Sequence, residues 1–230
     1  MLRWLRSRLF FPLLVMSLTA MAFYGLWPTL IGPWNGPRLH LNLFLAWVPY
    51  LLALAAVALH QQLPERPWLF RFVAVWWLLF FPNAPYLITD WLYLTHWQNQ
   101  LWYSIVLLTS FTLCGMLLAV TSLHLMQTVV AVRSGPDAGR SVAVIAIVLC
   151  GVGVYLGRFV RLNSWNLLTH PGTVFRDTLA AIESHPNHAG VFGFSILFAI
   201  LVGSTYYGIV ELRRTDRSRE EQMLWRRERE

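Results

Sequence analysis

Residues 67–90 read PWLFRFVAVWWLLFFPNAPYLITD, and this stretch decides what kind of fold the chain adopts. Residues 67–81 are apolar apart from Arg71. Pro67 suits a first helical turn, where its missing N–H would be unpaired in any case. An α-helix over that range rises only about 22 Å at ~1.5 Å per residue, short of a ~30 Å hydrocarbon layer. Pro82 and Pro85 then remove two backbone donors and stop the helix, and a second apolar-aromatic piece, residues 86–97, follows at once. The stretch therefore predicts a broken membrane element. Carbonyls freed at membrane depth need partners, and irregular backbone survives there only when buried in protein or lining a wet cavity. Asn83 is placed to supply such a bond. Pro85 is expected to start a new half-helix with Asp90 one to two turns in, on which Thr89, Tyr93 and His96 share a face at i, i+4 and i+7.

The rest of the chain has the same character. Of 230 residues, 57% are hydrophobic and 13% charged, against roughly 45–50% and about 25% in a soluble domain. The apolar residues fall in runs of membrane-spanning length. The predicted fold is an all-α polytopic membrane protein of about six transmembrane helices with a broken third helix. Its spans lie near residues 9–31, 41–59, 67–82, 101–127, 142–162 and 190–211, and a charged tail covers 213–230. Residues 133–140 are read as a plain turn linker. Residues 175–182 carry a short amphipathic pattern suited to the membrane interface. Gly153 and Gly157 form a small-xxx-small spacing read as helix packing. Ala20-Met21-Ala22 has the look of a signal-peptide cleavage site, but the run continues through Phe23, Tyr24, Leu26 and Trp27, which favours a retained helix.

A net charge of +7 and a pI near 10.0 invite a nucleic-acid reading. All 18 basic residues are arginine, however, and they cluster at the ends of apolar runs. That pattern is topological, so no nucleic-acid partner is expected. Fourteen arginines lie at the N-terminus, the second-to-third connection, the fourth-to-fifth loop and the tail, against Arg38, Arg158, Arg161 and Arg176 on the other side. The positive-inside rule then puts both termini in the cytoplasm.

On this topology two polar stretches share the external face. The first holds Asn83, Tyr86, Thr89 and Asp90. The second is Gly157-Arg158-Phe159-Val160-Arg161-Leu162-Asn163-Ser164-Trp165-Asn166. Arg158 and Arg161 sit three apart, on one side of the outer end of the fifth helix. Asp90 is expected to pair with Arg158 or Arg161, since a guanidinium can hold a carboxylate in bidentate form. The other arginine is then available to an anionic group such as a lipid phosphate. The plain alternative is structural, with arginines snorkelling to headgroups and aromatic residues anchoring at the interface.

The pairing of Phe80-Phe81-Pro82-Asn83-Ala84-Pro85-Tyr86-x-x-Thr89-Asp90 with Gly157-Arg158-Phe159-x-Arg161-x-Asn163-Ser164-Trp165 resembles the bacterial membrane proteins of domain-of-unknown-function family 1361. The resemblance covers about residues 40–212. It implies a multi-helix protein of the bacterial cytoplasmic (inner) membrane and brings no activity with it. Where the family pattern has a His three residues after the Asp and an Asp after Asn-Ser-Trp, this chain has Tyr93 and Asn166. A role needing those ionisable groups therefore does not transfer.

Other chemistry is sparse. His96, His170, His185 and His188 lie on the external side without helix-borne ligand spacing, so no metal is expected, and no cofactor motif is present. Cys114 and Cys150 fall inside apolar runs as packing residues. No charged residue sits near the middle of a span, which disfavours a proton-coupled carrier. Ser110, Thr112, Ser195 and Ser204 are expected to act as hydrogen-bond donors between helices. The leading reading is a non-enzymatic membrane component that binds a lipid, such as an anionic one, or a membrane-protein partner through the Asp/Arg/Asn cluster. A small-molecule permease or channel, and an outer-leaflet enzyme with Asp90 as general base, are the alternatives.

Overall fold

The computed structural model describes residues 2–96, 101–160, 172 and 188–227, with side chains described over 10–95, 101–159 and 192–212 apart from residue 172. Among the described residues the chain is helical, with no strand. In chain order the elements are α1 (Leu2–Leu30), α2 (Leu39–Gln62), α3 (Pro67–Phe80), α4 (Leu101–Ser134), α5 (Pro136–Tyr155) and α6 (His188–Arg227). Six spans are long and apolar enough to cross a membrane, the third running from Pro67 to Thr95.

α4 is the most buried span and forms the hub, whereas the spans Phe10–Leu30 and Phe192–Leu212 bury the smallest share of their residues. On α2 the inward residues are Leu39, Leu43, Ala46, Tyr50, Ala53 and Val57, one helical stripe dominated by small side chains. Between helices in lipid there is little hydrophobic drive, so association depends on close packing and interhelical hydrogen bonds. Both are present. Trp77 of α3 donates to Ser122 of α4 at 2.6 Å, and Ser122 donates on to the Pro49 carbonyl of α2 at 3.0 Å. Ser17 of α1 accepts from Trp47 of α2 at 2.9 Å and lies 3.1 Å from the Cys114 sulfur of α4.

The serines singled out in the sequence behave differently. Ser110 and Ser204 turn back on the carbonyls of their own helices. Thr112 does bond across elements, but as the acceptor from Trp91 at 3.0 Å rather than as the donor expected. A hydroxyl in lipid always finds its own helix carbonyl within reach, so only those facing a partner donor bond outward.

The fourth-to-fifth connection is tighter than an eight-residue linker. α4 runs on through Ser134, and α5 begins at Pro136. Gly135 alone makes the turn at φ +98°, a left-handed conformation that favours glycine. Gly139 then lets α5 pass close to the Gln127 carbonyl and Ala131 of α4. The predicted small-xxx-small packing also shifts along α5. Gly151 meets the Ser195 carbonyl of α6, and Gly153 meets the ring of Pro82.

The third span is broken where the prolines predict, but its second half is not α-helical. A short 3-10 turn (Phe81–Asn83) leads into a 3-10 helix (Pro85–His96). At ~2.0 Å per residue this twelve-residue segment covers about 24 Å. Three residues per turn change which side chains align. Thr89 and Tyr93 no longer share a face; Leu87, Asp90 and Tyr93 do. The turn itself is wedged between two helices. A Cβ on Gly115 of α4 would collide with the Ala84 carbonyl, and one on Gly153 would come within 2.6 Å of the Pro82 ring. The irregular backbone is thus buried in protein, as lipid requires.

Candidate functional site

The turn fixes where Asp90 goes. Asn83 Nδ2 donates to the Phe80 carbonyl at 3.0 Å, capping an acceptor that the proline break leaves open. Thr89 Oγ1 donates to the Tyr86 carbonyl at 2.7 Å and stiffens the next turn. Both residues therefore serve the backbone of the broken span. Asp90 lies beyond them with 0% exposure.

A carboxylate so deep in protein needs donors on both oxygens. Asn42, in the first turns of α2, donates Nδ2 to Asp90 Oδ2 at 3.0 Å. Arg158 donates Nη1 to Asp90 Oδ1 at 3.1 Å. The Arg158 side chain keeps 13% of its surface exposed, the Asp90 side chain 1%. Arg158 belongs to a π-helical turn (Leu156–Val160) that continues α5, a backbone departure that recurs at functional sites. Its Nη1 also reaches the Tyr86 hydroxyl at 3.4 Å. The guanidinium carbon stands 5.0 Å from the centre of the Tyr93 ring and 5.9 Å from that of Tyr86. Asp90 and Tyr93, eclipsed on the 3-10 helix, so present a charge and a ring face to the same arginine.

Three elements thus meet at one end of the bundle. An aromatic collar accompanies them at that end. Tyr24 Oη pairs with His40 Nδ1 at 3.2 Å, and Tyr103 donates to the Phe23 carbonyl at 2.6 Å. Tyr24 and Trp27 each make an edge contact with Trp34, at 4.9 and 5.0 Å. Amphipathic rings of this kind gather where a span leaves the hydrocarbon.

Of the residues picked out in the sequence, Tyr86, Asp90 and Arg158 come together, while Asn83 and Thr89 brace the turn. Arg161, Asn163, Ser164, Trp165 and Asn166 lie outside the described residues, as do His170, His185 and the amphipathic stretch 175–182; the side chains of His96 and His188 are not described either. Among the described residues no group of three metal-ligating side chains occurs.

Sequence reasoning missed Asn42 altogether. The signal was a lone amide in the apolar run that opens α2, and polar groups inside spans usually face a partner. Tyr93 was placed on a face with Thr89 and His96 and noted where the family pattern has His, but not matched to Arg158. Its ring over Arg158 is what a tyrosine there contributes.

A family model described as a protein of unknown function, DUF1361, matches residues 41–204, well over half of the chain. The chain belongs to the DUF1361 family. The matched range contains Asn42, the broken span with Asp90, and Arg158. The family expectation read from the two motifs is met, and the buried cluster of this DUF1361 protein joins one motif to the other. Comparison with curated proteins gives no match, and comparison with solved structures gives none either.

Proposed function

We propose that this DUF1361 protein is a non-enzymatic component of the bacterial cytoplasmic membrane that binds a lipid or a membrane partner at the end of the bundle carrying Asp90 and Arg158. The observation that carries the reading is the cross-element assembly Asn42–Asp90–Arg158, in which a fully buried carboxylate orients an arginine that still reaches the surface. Breaking such a buried pair by removing one member costs about 3–5 kcal/mol, and an apolar replacement of both is often neutral. Stability alone is therefore a weak reason to keep the pair. Holding a guanidinium in one orientation at headgroup level is a better one.

Both Asp90 oxygens are engaged and the residue has no exposed surface, which favours binding over a general-base role. The arginine distribution supports placing the cluster outside and both termini in the cytoplasm.

Native mass spectrometry of the purified full-length protein tests the binding reading. A copurified lipid or protein should be retained by the parent and released from Asp90→Asn and Arg158→Ala. Equal retention in all three counts against it. Reporter fusions after residue 99 and after residue 230 should report opposite sides of the membrane, and the same side for both would remove the assigned orientation.

A further inference from the structure

We propose that the outer edge of Arg158, its Nε and Nη2, together with the Tyr86 hydroxyl, seats a phosphate group. This deepens the binding function proposed above and rests on it. A guanidinium has five N–H donors in a fixed fork. Among the described residues only Nη1 finds acceptors, donating to Asp90 Oδ1 and to Tyr86 Oη. Nε–H and the two Nη2 hydrogens have no protein acceptor among the described residues. Asp90 therefore grips the arginine by one nitrogen and leaves the opposite edge for a second anion.

The Tyr86 hydroxyl stands beside the same guanidinium, 3.4 Å from Nη1. Its oxygen accepts from Arg158 Nη1, and its own proton has no acceptor among the described residues. The fork is also pre-oriented, held by the carboxylate and by the Tyr93 and Tyr86 rings at 5.0 and 5.9 Å, so little side-chain freedom remains to be lost on binding. Asp90 and Arg158 cancel in charge. Arg38, exposed at the N-terminus of α2 one turn from Asn42 and without an ion-pair partner among the described residues, adds positive charge at that end of the bundle. A fork edge, a hydroxyl donor and a spare cation at the level of the span ends match a phosphate oxyanion better than an uncharged headgroup. The phosphate can belong to a phospholipid headgroup or be a free phosphate.

The test uses the full-length protein in maltoside detergent, with Tyr86→Phe and Arg158→Lys beside the parent. Arg158→Lys keeps the charge and can still pair with Asp90, but loses the fork. Tyr86→Phe keeps the ring and removes only the hydroxyl, which guards against a result due to misfolding. Retention of phosphatidylglycerol and of uncharged diglucosyl diacylglycerol is measured by native mass spectrometry, and inorganic phosphate is titrated by calorimetry. The expected result is preferential retention of phosphatidylglycerol, weakened roughly 2–10-fold by Tyr86→Phe and at least about 10-fold by Arg158→Lys. A calorimetric signal from inorganic phosphate with the same variant dependence identifies free phosphate as sufficient. Silence there, with the lipid result intact, assigns the lipid phosphodiester. Equal retention of the glycolipid, insensitive to both variants, overturns the phosphate seat. If that retention still falls in Asp90→Asn, the broader binding function survives without it, whereas insensitivity to all three variants removes both.

Discussion

Two carboxylate–guanidinium pairs in this molecule have the same separation, 3.1 Å, and almost nothing else in common. Asp137 and Arg140 are three residues apart in the first turns of α5, with side chains 90% and 71% exposed. Asp90 and Arg158 are 68 residues apart, on different elements, with side chains 1% and 13% exposed. Water competes for every charge of the first pair, and such pairs contribute about 0–1 kcal/mol. In the second, the desolvation of the carboxylate is offset only by the donors that protein supplies. Distance does not set the value of an ion pair; the surroundings do. They also decide what the pair can be for. The exposed one decorates a helix start, where its Asp favours the dipole. The buried one fixes an arginine in place.

The comparison can be broken most forcefully by stranding the buried charge. Arg158→Ala should lower stability by about 3–5 kcal/mol, because among the described residues Asp90 is left with Asn42 alone. Denaturant or thermal unfolding of the detergent-solubilised protein reads this. Asn42→Ala removes one charge-assisted hydrogen bond and should cost about 1.5–3 kcal/mol by the same measurement. Gly115→Ala touches neither charge. It pushes a methyl group into the Ala84 carbonyl, displaces the turn that places Asp90, and should cost about 1–3 kcal/mol. Asp137→Asn should shift unfolding by no more than about 0.5 kcal/mol, and that small shift should shrink further as salt is raised. A cost at Asp137 matching that at Asn42 would erase the distinction between the two pairs.

The parts of this fold that were legible in the sequence are those written in local signals. Apolar runs announce spans, Pro82 and Pro85 announce a break, and an Asp and an Arg at the ends of two runs point to each other. Asn83 was legible for the same reason, since the carbonyl it caps is three residues away. What the sequence hid depends on neighbours. The second half of the third span is 3-10, with Ala84 pressed against Gly115 of α4, so an α-helical reading aligned Thr89 with Tyr93 when Asp90 and Tyr93 align. Asn42 reaches Asp90 from 48 residues away, and one amide in an apolar run does not name its partner. The one-residue turn at Gly135 looked like a loop because Ser-Gly-Pro-Asp is loop-like in composition, yet Gly139 lets the two helices close directly.

Everything proposed for the site rests on Asp90 and Arg158 being energetically coupled inside the folded protein. A double-mutant cycle with Asp90→Asn and Arg158→Gln, run beside one with Asp137→Asn and Arg140→Gln, measures that coupling with the bundle otherwise unchanged. The buried pair should show a coupling energy in the upper part of the roughly 0.5–3 kcal/mol range for contacting residues, and the exposed pair about 0.3–0.5 kcal/mol. A buried-pair coupling no larger than the exposed one would contradict the account.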